Sequence, residues 1–395
     1  MSARHATILF AGGGTGGHIF PNLAIIERLV ERGVGVDPYL LISRRPLDAR
    51  MVAETGWPYM SLAAEPLGLR PRALWSFVRG YRRSVRQMRE MIRQTSARAL
   101  VATGGFVSAP AITAARSMGL PTALVNLDAV PGRANRAMAG RARAIFSVYP
   151  HRSLPGAHAI GLPLREAALG VVQPDEARVQ LGLHPDRPTL LVTAGSQGAE
   201  SINALMVALG RNERARGVMR QWQVLHLAGQ RQRDELERAY AAAGIRARVY
   251  GFLDRIGLAW TSASLAISRA GAGSVAEAWA NCVPTLFLPY PYHKDEHQRH
   301  NARPMVATGG AMLLPDYVDP DANVEQLLDP LLALMADEPR RYAMRCALAA
   351  ADPGDGASAV AQWVVEALGW RTGRPAPRDT AGPRVRRLPD ADRRA

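Results

Sequence analysis

Two stretches of the chain, about 180 residues apart, share one plan. Residues 8–25 (ILFAGGGTGGHIFPNLAI) and 190–205 (LLVTAGSQGAESINAL) each run from a short apolar segment through a loop of small residues into a helical pattern. Such a unit leaves a buried strand, turns on residues free of steric restriction, and covers the strand with a helix. Its recurrence is better explained by two doubly wound α/β domains in tandem than by one large sheet. The surrounding pattern agrees. Strand candidates at 6–11, 99–103, 122–128 and 144–149 precede a break near 161–165, and a second set at 189–194, 224–228, 249–252, 265–268 and 285–290 follows it. Apolar strands alternating with helices predict parallel sheets covered on both faces. The first helix is predicted over 21–32, with Pro21 early and Gly33 as its stop. The expected division is 1–163, 164–370 and a basic tail, 371–395, that has no apolar period and is expected to be disordered. A cleft between two such domains is a natural ligand site.

A chain of 395 residues suits two or three domains, and 48% apolar residues exclude a wholly disordered protein. The two cysteines, Cys282 and Cys346, have neither metal-ligand nor disulfide spacing, which fits a reducing compartment. The first apolar run is too short for a signal peptide, and no stretch reaches the length of a membrane span. The expected location is therefore the cytoplasm. The net charge is +15, almost all from arginine, since Lys294 is the only lysine. That bias reads partly as genome composition, but its distribution is informative. Residues 70–98 hold nine arginines and one acid, Glu90, and 371–395 hold eight arginines and three aspartates. Two such clusters suit an anionic surface. The pattern at 75–94 puts Trp75, Val78, Val85, Met88 and Ile92 on one side and arginines on the other. It is read either as a helix lying on anionic lipid or as a core helix with a solvated face.

Four loops carry the candidate chemistry. Gly12-Gly-Gly-Thr-Gly-Gly-His18 follows a strand and opens a helix, whose free N–H groups and dipole suit an anion. Gly12, Gly14 and Gly17 also match the dinucleotide fingerprint, with Asp37 about 20 residues on, so a nicotinamide enzyme is a rival. His18 favours acid–base chemistry. The loop at 194–199 offers Ser196 and backbone donors to a phosphate or a sugar hydroxyl. In 268–277 (SRAGAGSVAE), Gly271 to Ser274 suit a diphosphate, and Glu277 suits either a ribose diol or the helix dipole. At 289–298, Asp295 and Gln298 offer the acceptor and donor pairs that sugar hydroxyls need, with Asn301 beyond. His293, His297 and His300 raise a metal site, against which stands the lack of a second ligand cluster.

Taken in order, residues 13–18, 104–108 (GGFVS), 195–199, 269–277 and 295–301 resemble the MurG family of bacterial cell-wall glycosyltransferases, over about 8–311. The resemblance implies a GT-B fold: two Rossmann-like domains facing a cleft. It implies inverting transfer of GlcNAc from UDP-GlcNAc to the lipid-linked acceptor lipid I, giving lipid II. No cofactor is expected, and no metal is required if helix dipoles and Arg165 carry the diphosphate charge. The resemblance also implies an enzyme peripheral on the inner face of the cell membrane. The arginines lack interleaved aromatics on a recognised module, so a nucleic-acid partner is not expected. Carried over, Thr15, Gly16 and Gly17 face the diphosphate or acceptor. Arg165 and Ser196 contact UDP, and Leu253 lies beside the uracil. Ala272, Gly273 and Ser274 hold the phosphates, Glu277 the ribose and Gln298 the GlcNAc hydroxyls. The base is His18 first and Asp128 second. The chain departs from the family where a His-Glu-Gln-Asn run is replaced by Val125-Asn-Leu-Asp128, where Leu162 replaces an asparagine, and at His297, where many members have glutamine. The alternatives are another UDP-sugar enzyme of this fold, such as one with a different acceptor or a 2-epimerase, the nicotinamide enzyme, and a non-catalytic UDP-sugar binder.

Overall fold

The computed structural model describes residues 5–68, 70–195 and 198–370. The expected disorder of 371–395 and the site position Ser196 lie outside the described residues.

Two parallel sheets organise the chain. The first contains β1 (Ala6–Gly12), β2 (Val36–Ile42), β3 (Tyr59–Ser61), β4 (Ala99–Gly104), β5 (Thr122–Asn126), β6 (Ala144–Ser147) and β7 (His158–Ala159), in the order β3-β2-β1-β4-β5-β6-β7. The second contains β8 (Thr189–Thr193), β9 (Gln223–Leu227), β10 (Ala247–Tyr250), β11 (Leu265–Ser268), β12 (Thr285–Phe287) and β13 (Ala311–Leu313), in the order β10-β9-β8-β11-β12-β13. Both are Rossmann-like, and together they give the two-domain GT-B fold. The pleat sends alternate residues to opposite faces. In β1, Ile8 and Phe10 enter one core while Leu9 and Ala11 enter the other. In β8, Leu190 and Val192 likewise separate from Leu191. Strands buried on both faces explain the unbroken apolar runs.

Chain order reverses between β1 and β4 in the first sheet and between β8 and β11 in the second. A crevice opens at such points, at the carboxyl ends of the strands. Residues 12–18 and 104–108 follow the first pair of strands, and 194–195, 198–199 and 269–274 the second.

Three features differ from the sequence reading. The first helix is Gly16–Glu31 and runs through Pro21, which lies past the first turn and has no N–H to give the carbonyl four residues before it. His18 therefore sits in the helix's first turn rather than at the end of the loop. The helix Pro71–Thr95 divides along its length: Met88, Met91 and Ile92 are core, as the second reading expects, whereas Leu74, Trp75 and Val78 are exposed. Finally, the helix Gly356–Ala367 does not join the second sheet, as a division at 164–370 implies. Ala357, Val360, Ala361 and Val364 pack into the first core beside Leu23 and Ile26.

Candidate functional site

The glycine loop is fixed from below by a buried carboxylate. Asp48 Oδ2 accepts the Gly14 N–H at 2.7 Å, the Ser43 hydroxyl at 2.6 Å and the Ser43 N–H at 3.3 Å. The Arg45 guanidinium donates to the Gly14 carbonyl. Gly104 and Gly105 adopt φ of 114° and 74°, and a Cβ on Gly105 would strike the Gly13 carbonyl, so both loops meet through bare backbone. Thr15 is the exposed N-cap of helix Gly16–Glu31. Gly16 is buried and Gly17 exposed.

His18 is half-buried against these glycines. Its Nδ1 lies 3.1 Å from the Thr103 carbonyl. A carbonyl only accepts, so Nδ1 carries the hydrogen and Nε2 keeps its lone pair. Burial lowers the imidazole pKa below its usual value, against the opposing charges of Asp128 and Asp48. The ring is thus neutral near pH 7, as a proton acceptor must be.

On the second sheet, Gly271 caps helix Ala272–Ala280 and a Cβ on Gly271 or Gly273 would meet open space. Gly273 is exposed and Ser274 half-buried, while Ala272 packs against the first core beside Phe20. The helix start therefore reaches the first unit, and the N–H groups of its first turn suit an anion. Glu277 lies one turn on. Burial pushes its carboxyl up to about 7, against the bond from Trp260 Nε1 at 3.0 Å and the Arg165 charge. Arg165 lies 3.9 Å over the Phe20 ring, half-buried between the two units. Burial lowers its pKa, opposed by Glu277 and Glu27. Leu253 is half-buried against the second core. Beneath the loop, Arg269 pairs with the buried Asp316 at 2.6 Å and donates to the Leu288 carbonyl and the Ser201 hydroxyl, a structural anchor.

Gln298 begins helix His297–Ala307 and its Oε1 accepts the Tyr290 N–H at 2.9 Å. Asp295 is engaged by His297 Nδ1 at 2.8 Å, and the His293 and His297 rings stack at 4.3 Å. Among the described residues no group of three His, Cys, Asp or Glu side chains is arranged to hold a metal ion. Asp128 lies half-buried and holds Asn301 of this same helix at 2.9 Å, so the two sheets meet at the site.

The structure thus brings His18 near Asp128 and Arg165 near Glu277, with the first turn of helix Ala272–Ala280 against the first unit. It does not bring in Asp37, which stands at the amino end of β2 and pairs with exposed His5 at 3.3 Å. A ribose ligand in the dinucleotide fold belongs at the carboxyl end, so this position cannot serve one. Sequence reasoning missed Asp48, Phe20, Trp260 and Tyr149, none of which stands in a glycine-rich motif.

The comparisons with known proteins agree. The glycosyltransferase family 28 N-terminal domain matches residues 8–147 and the C-terminal domain residues 189–358. The UDP-N-acetylglucosamine--N-acetylmuramyl-(pentapeptide) pyrophosphoryl-undecaprenol N-acetylglucosamine transferase of Clavibacter michiganensis subsp. michiganensis is 37% identical over 376 residues, covering 94% of this chain and 99% of its own. The protein of the same name in Streptomyces coelicolor is 33% identical over 373 residues, covering 93% and 100%. The crystal structure of Acinetobacter baumannii MurG superposes with a TM-score of 0.68 at 22% identity, covering 92% of this chain and 99% of that one. With two relatives at this identity spanning nearly the whole chain, it belongs to glycosyltransferase family 28 and, within it, to the MurG family of N-acetylglucosamine transferases.

Proposed function

We propose that the chain transfers GlcNAc from UDP-GlcNAc to the MurNAc 4-hydroxyl of lipid I, forming lipid II with inversion. The observation that carries this reading is the start of helix Ala272–Ala280 packed against the first unit through Ala272, with a neutral imidazole in the first turn of helix Gly16–Glu31. In this reading the acceptor oxygen attacks the anomeric carbon from the face opposite UDP. The bond from that carbon to the β-phosphate oxygen breaks, and its electron pair leaves with UDP. His18 Nε2 takes the hydroxyl proton. The N–H groups of Ala272, Gly273 and Ser274 and the Arg165 charge stabilise the leaving diphosphate, a duty that fixed dipoles perform without reorganisation. Glu277 accepts from the ribose hydroxyls, Leu253 and Ser196 contact the nucleotide, and Gln298 reads the GlcNAc hydroxyls. Thr15, Gly16 and Gly17 face the diphosphate or the acceptor. Asp128, whose charge raises the basicity of His18, is the second candidate base.

The acceptor is lipid-linked, and the exposed start of helix Pro71–Thr95 suits a peripheral seat on the inner face of the cell membrane. Leu67, Leu74, Trp75 and Val78 are exposed there, Trp75 at 63%, among exposed Arg70, Arg72, Arg79, Arg82 and Arg83. Among the described residues no helix is long and apolar enough to cross a membrane.

The test is UDP release from UDP-GlcNAc with and without a short-chain lipid I analogue. Release that needs the analogue is expected. His18→Gln is expected to lower kcat about 10²- to 10⁴-fold, the usual weight of a general base, with UDP-GlcNAc binding retained. Release without lipid, or wild-type kcat in His18→Gln, defeats the transfer or the base assignment respectively.

A further inference from the structure

One side chain that joins the two units across the cleft is wholly buried. Asn301 is 0% exposed, and its amide is fully engaged. Its Oδ1 accepts the Ala129 N–H at 2.7 Å, and its Nδ2 donates to Asp128 Oδ1 at 2.9 Å and to the Ala270 carbonyl at 3.3 Å. Its own backbone carbonyl accepts the Tyr149 hydroxyl at 3.1 Å. Burial and the Asp128 charge hold the Tyr149 hydroxyl far above its ordinary pKa, so it stays a donor. Asp128, Ala129 and Tyr149 follow strands of the first sheet. Ala270 opens the loop before helix Ala272–Ala280 of the second, and Asn301 itself lies one turn after Gln298 on helix His297–Ala307.

We propose that Asn301 is a positioning residue that fixes the acceptor-side carboxylate of Asp128 relative to the donor-side loop, so that closing the two units and aligning the reactants are one event. The proposal rests on the transferase reading for its effect on turnover, and on geometry alone for the bridge. An amide is suited to the place because it donates and accepts at once, and here both ends are used. Asp128 needs only an acceptor oxygen toward Nδ2. An asparagine side chain also supplies one, so the bridge accommodates the departure from the family's asparagine at this position.

The experiment measures backbone amide exchange at Ala129 in the full-length protein, together with kcat and UDP-GlcNAc binding. Asn301→Asp sets an oxygen against Asp128 and the Ala270 carbonyl, and is expected to speed Ala129 exchange about tenfold or more, the weight of one hydrogen bond to a charged group. Adding Asp128→Asn restores a donor–acceptor pair with reversed polarity and is expected to recover most of that protection. Asn301→Ala is expected to lower kcat about 100-fold, as misplacement by an ångström does, while the Kd for UDP-GlcNAc changes by less than about threefold. Unchanged exchange in Asn301→Asp, no recovery in the double variant, or wild-type kcat in Asn301→Ala overturns the proposal. Where Asn301→Asp does not fold, Asp128→Ala breaks the same bond from the other side and is judged by the same exchange. A wild-type protein that shows no lipid-dependent UDP release defeats the transferase reading, and Ala129 exchange still judges the bridge.

Discussion

Glu277 shows how one residue's surroundings set a pH dependence. Its carboxyl is held at about 7 in the folded chain, against 4.5 unperturbed, because burial outweighs the Trp260 bond and the Arg165 charge. The folded state therefore keeps a proton that the unfolded chain has lost between about pH 4.5 and 7. The stability from this group is fully present below 4.5 and falls as pH rises through 7. In its proposed ribose role binding runs the other way, since a ribose diol donates best to an ionised carboxylate. UDP affinity of the wild type is expected to rise about tenfold between pH 6 and 8, as one group titrating near 7 requires. In Glu277→Gln it is expected to be flat and lower throughout. Titration calorimetry across that range checks both, and a wild-type affinity that does not move with pH removes the ribose role.

At the scale of elements, helix Pro71–Thr95 divides its labour along its length. Its last turns bury Met88, Met91 and Ile92 against the first sheet, while its first turns leave Leu74 and Trp75 in solvent with Arg79 stacked 5.1 Å over the Trp75 ring. Each arginine near an anionic surface is worth about 1 kcal/mol. Arg82→Ala with Arg83→Ala is therefore expected to weaken binding to phosphatidylglycerol vesicles by about tenfold or more, and added salt is expected to shrink the difference. Trp75→Ala is expected to weaken binding without that salt dependence. Equal vesicle binding by all three proteins would leave the patch without this partner. The division also marks where sequence reading succeeds. Strand, glycine loop and helix start are local, so 8–18 and 265–277 were legible from apolar runs and glycines. The exposed half of this helix was not separable from its core half, because both carry the same period. Asp48 was invisible for a related reason: its meaning lies in the Gly14 N–H, 34 residues away. Asp37 misled because spacing alone does not say which end of β2 an acid occupies.

At the scale of the molecule, the chain crosses between its units twice, side by side. Leu162 pairs with Asp355, and a Cβ on Gly161 or Gly356 would strike the backbone of the other crossing segment. Nothing in the local pattern of helix Gly356–Ala367 says which sheet its apolar face serves, and it serves the first, beyond a whole intervening domain. Arg28 secures it. The side chain is 4% exposed and donates from Nε to Asp355 Oδ2 at 2.8 Å, while Asp355 Oδ1 accepts the Ala357 and Ser358 N–H groups at that helix's start. Arg32 adds a bond to Gln362 at 2.9 Å. Removing the guanidinium leaves Asp355 its cap but not its countercharge. Arg28→Ala is expected to cost about 2–3 kcal/mol, below the range for a fully buried pair because Asp355 keeps some solvent. That corresponds to a fall in Tm of about 5–10 °C for domains of this size. Asp355→Ala loses the cap as well and is expected to fall further. If the strap joins the units thermodynamically, urea unfolding of Arg28→Ala should also separate into two transitions, the first sheet opening before the second. One sharp transition at the wild-type midpoint would mean that the packing of Val360 and Val364 alone holds the helix, and that the buried pair sets its register rather than its stability.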